Sequence, residues 1–284
     1  MEYNQNVVDK VCDALVRSGS TFTLDKKEAY REAIRSETDD KARWVLETVL
    51  ENAEVAEKNR SPLCDDTGIP HVVIEAGPNA AVTGTVIESI KEGIRQGLRT
   101  LPGRPMAVKG NDLQRIAQSE GMYEDSGMLD AASILLRSTD EDVLRVYVLM
   151  FGGGPAIRAH THRVFHKHKV EPVIDQIVEW ATESTAQLGC TPCTLAVGIG
   201  RSHYEASSLM LQALVDGRYD RQSEMEREIT RRVNESHVGA LGLGGDTTVL
   251  ATFMKVGPQR SSGVRIVCMR PCCCFEPRIA SVEL

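Results

Sequence analysis

The chain has 284 residues, 42% of them hydrophobic, with a formal net charge of −7 and eight cysteines. That length buries a large core, and the acidic balance without a basic stripe excludes a nucleic-acid footprint. No apolar run reaches the roughly 18 residues that a membrane span needs, and Met1 to Gln5 lack the basic-then-apolar pattern of an export signal. The expectation is a soluble, cytoplasmic protein with no nucleic acid and no membrane as partner. In a reducing compartment its clustered thiols point to metal before disulfide.

Residues 1–60 read as a helical block. Val7, Val8, Val11 and Leu15 form one stripe at helical spacing, and Trp44, Val45, Val49 and Ala53 another, with Thr23 and Asp39 or Asp40 as N-caps between them. The pattern assigns no chemistry to this block, which reads as a cap of about three helices over a core spanning 61–284. The whole chain is expected to be one large domain of α+β class, a mixed sheet with flanking helices. Next comes Ser61-Pro62-Leu63-Cys64-Asp65-Asp66-Thr67-Gly68-Ile69-Pro70, a proline-bracketed turn that carries a soft metal ligand beside two carboxylates and a hydroxyl. It opens onto a strand at His71 to Glu75, followed by a helix over Thr85 to Gly97. A Pro/Gly-rich loop to Gly110 then contains Arg99, Arg104 and Lys109.

A β-branched run from Val143 to Met150 predicts a strand leading into Phe151-Gly152-Gly153-Gly154, where backbone amides can approach an anion closely. His160, His162, His166 and His168 follow. His162 and His166 are four apart and can share a helical face, but Arg163, Lys167 and Lys169 would repel a cation, so an exposed basic segment is the preferred reading. Pro172 opens a helix to about Gln187. Leu188-Gly189-Cys190-Thr191-Pro192-Cys193 interrupts it before a buried strand, Thr194 to Ile199, and Ser202 caps the next helix, to about Leu214. A charged helix, Glu224 to Glu235, precedes the glycine-dense Gly239 to Thr248 and a strand at Val249 to Val256. The last strand, Val264 to Met269, delivers Cys268 and then Cys272, Cys273 and Cys274.

Cys64, Cys190 or Cys193, and one of Cys272 to Cys274 each sit where a strand meets a Gly/Pro turn. Strand ends in one sheet converge, so three thiolates from distant parts of the chain can meet. Three cysteine ligands on an iron–sulfur cluster leave one iron free to act as a Lewis acid. A zinc-stabilised binding module using Cys190, Cys193 and the terminal cysteines is an alternative, as is a thiol oxidoreductase.

Taken as a set, Pro62 to Gly68, Phe151 to Gly154, Cys190-Thr191-Pro192 with Val197 to Gly200, Gly242 to Thr248, and the Cys-aromatic-x-x-Arg ending resemble the α-subunit of class I fumarases and tartrate dehydratases. The motifs occur in that family's order from about residue 61 to the C-terminus. The resemblance implies a hydro-lyase acting on a C4-type dicarboxylate, fumarate/malate or tartrate, with a [4Fe-4S] cluster on Cys64, Cys190 and Cys274 at strand ends. Cys274 is preferred over Cys272 and Cys273 because Cys274 to Ala280 best matches the family's Cys-Trp-x-x-Arg-x-Ala. It further implies Asp66 and Thr67 as catalytic groups, substrate contacts from Asp65, Arg99, Gly152, Gly153 and Gly154, and a β-subunit partner in an α2β2 assembly, that subunit carrying the general base. Asp65 stands where the family often has Gln. Two like charges about 4 Å apart repel by roughly 4 kcal/mol at an effective dielectric of 20, so Asp65 needs an arginine partner or a proton to face a substrate carboxylate. Phe151 and Pro155 replace a Lys and a Ser, which bears on the identity of the substrate.

Overall fold

A computed structural model describes residues 2–284 and has an α+β fold with two mixed four-stranded sheets. The chain divides into two compact units, one of Met1–Phe22, Ala53–Gly152 and Arg278–Leu284, the other of Thr23–Asn52 and Gly153–Pro277. The long helix α3 (Asp40–Asn59) contains one of the points of division.

In the first unit, the sheet has the order β2-β1-β3-β8, formed by β1 (Ile69–Ala76), β2 (Leu135–Ser138), β3 (Leu144–Phe151) and β8 (Ile279–Glu283). Strand β1 is parallel to β2 and antiparallel to β3, which pairs antiparallel with β8. Alternate residues Val72, Ile74, Val146, Val148 and Met150 share one face of the pleat. They pack against Val11 and Leu15 of α1 (Gln5–Ser20) and Ile90, Ile94 and Leu98 of α4 (Gly84–Thr100). The valine stripe read in α1 is therefore core. Short helix α5 (Asp112–Ala117), capped by a reciprocal Asn111–Gln114 pair, also lies in this unit.

The second unit has the sheet order β4-β7-β5-β6, from β4 (His160–Phe165), β5 (Cys193–Gly200), β6 (Val249–Val256) and β7 (Val264–Cys272). Every residue of β5 is buried, as a central strand covered on both faces must be. Leu195, Val197 and Ile199 pack with Val173, Ile177 and Ala181 of α7 (Glu171–Leu188) and Ile229 and Val233 of α9 (Glu224–Asn234). Helix α8 (His203–Asp216) runs so close to β5 that a Cβ on Gly198 would lie 2.0 Å from the Ala206 carbonyl oxygen. Helix α2 (Leu24–Ser36) and the single turn α6 (Gly153–Ala156) complete this unit.

The histidine segment is largely exposed and basic, as expected, with His162, Arg163, Lys167, His168 and Lys169 all exposed. It is a strand and turn, so His162 and His166 share no helical face: His160 and His162 lie on β4, where both rings pack beside Trp180, and the His166 ring meets the Ser262 carbonyl oxygen at 2.6 Å. Alternation in a strand places residues two apart together, whereas a four-residue spacing serves only a helix. Trp44, placed in a buried stripe, is 63% exposed, while its neighbours Val45, Val49 and Ala53 are buried.

Candidate functional site

The turn after Pro62 is fixed by its backbone. Gly68 has φ +89, and a Cβ there would lie 2.8 Å from the Phe151 carbonyl group and 2.7 Å from Arg278 Nη2. Only glycine suits that conformation at that approach. Arg278 is buried and donates from Nη1 to the Asp66 carbonyl oxygen at 2.6 Å and from Nε to the Met150 carbonyl oxygen at 3.2 Å. The arginine of the C-terminal motif thus clamps the first motif turn to the end of β3. Cys64 sits on this turn as a half-buried thiol, 3.5 Å from Asp65 Oδ1.

Asp65 is exposed and meets Arg104 Nη1 at 3.2 Å, so the charge that had called for a partner has one. The Arg104 backbone N–H donates to Thr67 Oγ1 at 3.2 Å, and Thr67 is buried. The hydroxyl of Thr67 is thereby a structural tie to the Pro/Gly-rich loop. Arg99 forms a two-pronged pair with Asp125, Nε to Oδ1 at 2.9 Å and Nη2 to Oδ2 at 2.7 Å, while the Gly127 N–H donates to the same carboxylate at 2.9 Å. Arg99 holds the Asp125 carboxyl below its ordinary range, with the Gly127 N–H adding to the effect. Any substrate carboxylate at Arg99 competes with Asp125. Gly152 is buried, while Gly153 and Gly154 open the α6 turn.

In the second unit, the Cys274 N–H donates to the Cys190 carbonyl oxygen at 2.8 Å, so two of the three expected ligands lie on backbone segments bonded to each other. Cys190 is exposed and Cys274 is 3% exposed. A hydrogen bond from the Cys274 thiol to Cys273, together with burial, raises the Cys274 thiol well above its ordinary value. Cys272 is buried within β7.

Around Cys190 the backbone is tied to the glycine loop. Thr191 Oγ1 donates to the Gly239 carbonyl oxygen and accepts from the Gly242 N–H at 3.2 Å, while the Leu241 N–H donates to the Thr191 carbonyl oxygen at 3.0 Å. Gly239 has φ +69, and a Cβ there would lie 1.6 Å from the Gly244 carbonyl oxygen, which fixes glycine at that position. The Glu37 carboxylate accepts from the Asp246 N–H at 2.8 Å and the Thr247 N–H at 3.0 Å, and Asp246 accepts in return from the Thr38 hydroxyl at 2.6 Å.

The Cys272 to Glu276 segment is held by buried polar groups. Tyr30 Oη donates to the Cys274 carbonyl oxygen at 2.7 Å, Lys26 Nζ donates to the Glu276 carbonyl oxygen at 2.8 Å, and Arg270 pairs with the Glu276 carboxylate at 3.0 Å. Burial brings the Lys26 ammonium down to about 8, against the opposing pull of Cys272, Cys273, Cys274 and Glu276. These residues went unassigned in the sequence, and the block containing Lys26, Tyr30 and Glu37 was read as having no chemistry. The signal was present: Lys26 and Tyr30 are four apart on the face that ends in Ala33, so polar groups occupy an apolar stripe.

Among the described residues, no group of three or more His, Cys, Asp and Glu side chains is arranged to hold a metal ion. The donor chemistry nonetheless suits a thiophilic metal group: among the described residues no cysteine is in a disulfide, and two of the motif cysteines share a backbone hydrogen bond.

Fold and site together define an α+β protein whose motif turns carry thiols and matched arginine–carboxylate pairs. The chain belongs to the fumarate hydratase (Fumerase) family, whose model matches residues 8–283. It is 26% identical over 285 residues, 96% of each chain, to the "Putative L(+)-tartrate dehydratase subunit alpha" of Methanocaldococcus jannaschii. It is 22% identical over 254 residues to the "L(+)-tartrate dehydratase subunit alpha" of Escherichia coli K12, covering 88% of this chain and 80% of the relative. Against the "Putative fumarate hydratase class I" of Geobacillus stearothermophilus it is 23% identical over 266 residues, 89% of this chain and 50% of that relative. Among the described residues, no helix is long and apolar enough to cross a membrane.

Proposed function

We propose that this chain is the α-subunit of a hydro-lyase that adds and removes water across a C4-type dicarboxylate, fumarate/malate or tartrate, using a [4Fe-4S] cluster. Cys64, Cys190 and Cys274 would hold the cluster, which when bound supplies a Lewis acid for a substrate hydroxyl. The observation that carries this reading is the hydrogen bond between the Cys274 N–H and the Cys190 carbonyl oxygen, which joins two of the motif cysteines. It also favours Cys274 over its neighbours as the third ligand, since Cys272 belongs to the β7 ladder.

The chain's own residues then have separable tasks. Asp66 and Thr67 stand beside Cys64 on a turn whose shape Arg278 sets, so they present their groups from a fixed backbone. Arg99 is the cation offered to a substrate carboxylate, released from Asp125 on binding, and Asp65 reaches the substrate through the charge balance that Arg104 gives it. Backbone groups of Gly152, Gly153 and Gly154 add contacts without side-chain obstruction. A β-subunit, in an α2β2 assembly, supplies the general base, in keeping with relatives named as subunit alpha.

The test is to co-express the chain with a candidate β-subunit, purify without oxygen, and assay a panel of fumarate, malate, both tartrates and methylated malates. Turnover of at least one diacid by the pair, and none by either chain alone, is expected. Failure of the reconstituted pair on every diacid would overturn the reading.

A further inference from the structure

A cavity of about 430 Å³ lies entirely within the second unit, at the end of β5 remote from Cys190. Its wall is apolar: Val173, Ile174 and Ile177 of α7, Ile199 at the end of β5, Met225 of α9 and Val256 at the end of β6. Its rim carries His166, His168, Lys169, Gln259 and Arg265, and no carboxylate residue lines it, although the chain as a whole is acidic. Ile199 lies six residues along β5 from Cys193, roughly 20 Å at the usual rise, so the cavity is not part of the cysteine loops.

Arg265 is the telling residue. It is half-buried, and its Nη1 alone donates to backbone, to the carbonyl oxygens of Val264 at 2.9 Å, Ser262 at 3.2 Å and Arg260 at 3.5 Å. Among the described residues, Nε and Nη2 have no acceptor and no carboxylate neutralises the charge. That edge of a guanidinium matches a carboxylate side-on, with two parallel N–H donors. His166 is occupied otherwise: its Nδ1 accepts from the His168 N–H at 3.0 Å, leaving Nε2–H to donate to the Ser262 carbonyl oxygen at 2.6 Å. Lys167 and His168, both non-glycine, hold φ of +49 and +57 in the turn that sets this rim. Consecutive left-handed residues of that kind persist only where the surroundings enforce them.

We propose that this cavity is a second ligand site, for a monocarboxylic acid with an apolar body of about eight carbons. The apolar wall takes the chain, and Arg265 with Lys169 takes the carboxylate. The volume is at the small end for ligand pockets, about 300 to 1,000 Å³, which excludes large cofactors and suits a single acyl or aryl acid.

Octanoate is the probe, with octanol as its neutral counterpart, titrated into the full chain by calorimetry and ligand-observed NMR. Saturable octanoate binding is expected, about tenfold weaker in Arg265→Gln, with octanol unaffected by that change. Met225→Trp, which narrows the apolar end of the cavity, is expected to weaken both. If Arg265→Gln does not fold, Lys169→Gln at its exposed position carries the same comparison and is expected to weaken octanoate alone. Absence of saturable octanoate binding to the folded chain at millimolar concentration would overturn the proposal. Equal octanoate affinity in the folded charge variant and the parent chain would do the same. Neither result bears on the hydro-lyase assay, which uses different residues.

Discussion

Gly68 shows how one residue sets the geometry of a whole motif. Its φ of +89 and the 2.8 Å approach of the Phe151 carbonyl leave no room for a side chain. Gly68→Ala is expected to destabilise the chain by about 1–3 kcal/mol, measured by urea unfolding, because the turn must shift or strain. The Arg99–Asp125 pair makes a different prediction. Asp125 is held below its ordinary value of 3.8 by Arg99, so its contribution to stability is present above that pH and is lost as pH falls through the folded-state value. Stability followed from pH 6 to pH 2.5 should fall less steeply in Asp125→Asn than in the parent chain, and added salt should shrink the difference, since both side chains are exposed. That Asp65 needs an arginine or a proton to face a substrate carboxylate followed from charge alone, which left the two open. The choice of Arg104 depended on a loop whose path no local pattern records.

At the scale of elements, most helices and strands were legible because each carries a period or a stop signal. Strand β6 lies where the apolar run after Thr248 placed it, and the Ser202 cap accepts from the Glu205 N–H as its position implies. Strands β2 and β8 went unread because their alternating patterns are short and half-exposed, and their partners in β1 and β3 are distant in sequence. The tasks of helix α2 and of the Glu37 segment that follows it were missed for a related reason: buried polar residues declare their purpose only when their partners are known. Glu37 accepts from the Asp246 and Thr247 N–H groups, so Glu37→Ala leaves those donors without it. A loss of about 2–4 kcal/mol is expected in urea unfolding, with Glu37→Gln recovering part of it. An equal loss for both variants would show that charge, and not acceptor geometry, holds the Asp246 loop.

For the molecule as a whole, the α+β class was legible from the mixture of periods, and the family from motifs that recur in a fixed order. The division into two compact units was not, since each is assembled from segments far apart in the chain, and Arg278 closes the first unit only a few residues after Cys274 ends its part in the second. Sequence separation gives no hint of that exchange. On the proposed reading, substrate identity would rest on groups such as Phe151 and Pro155, which replace a Lys and a Ser of the family pattern, and on the proposed β-subunit.

Whether three cysteines from separate motifs hold an iron–sulfur cluster is tested by iron and acid-labile sulfide analysis, with the visible absorption spectrum, of anaerobically purified parent chain and of single Cys→Ser variants at 64, 190, 272, 273 and 274. A brown protein with about four irons and four sulfides per chain is expected, the cluster being lost in the variants at Cys64, Cys190 and Cys274 and kept at Cys272 and Cys273. A colourless chain with one tightly bound zinc, or a cluster indifferent to Cys64→Ser, would contradict it.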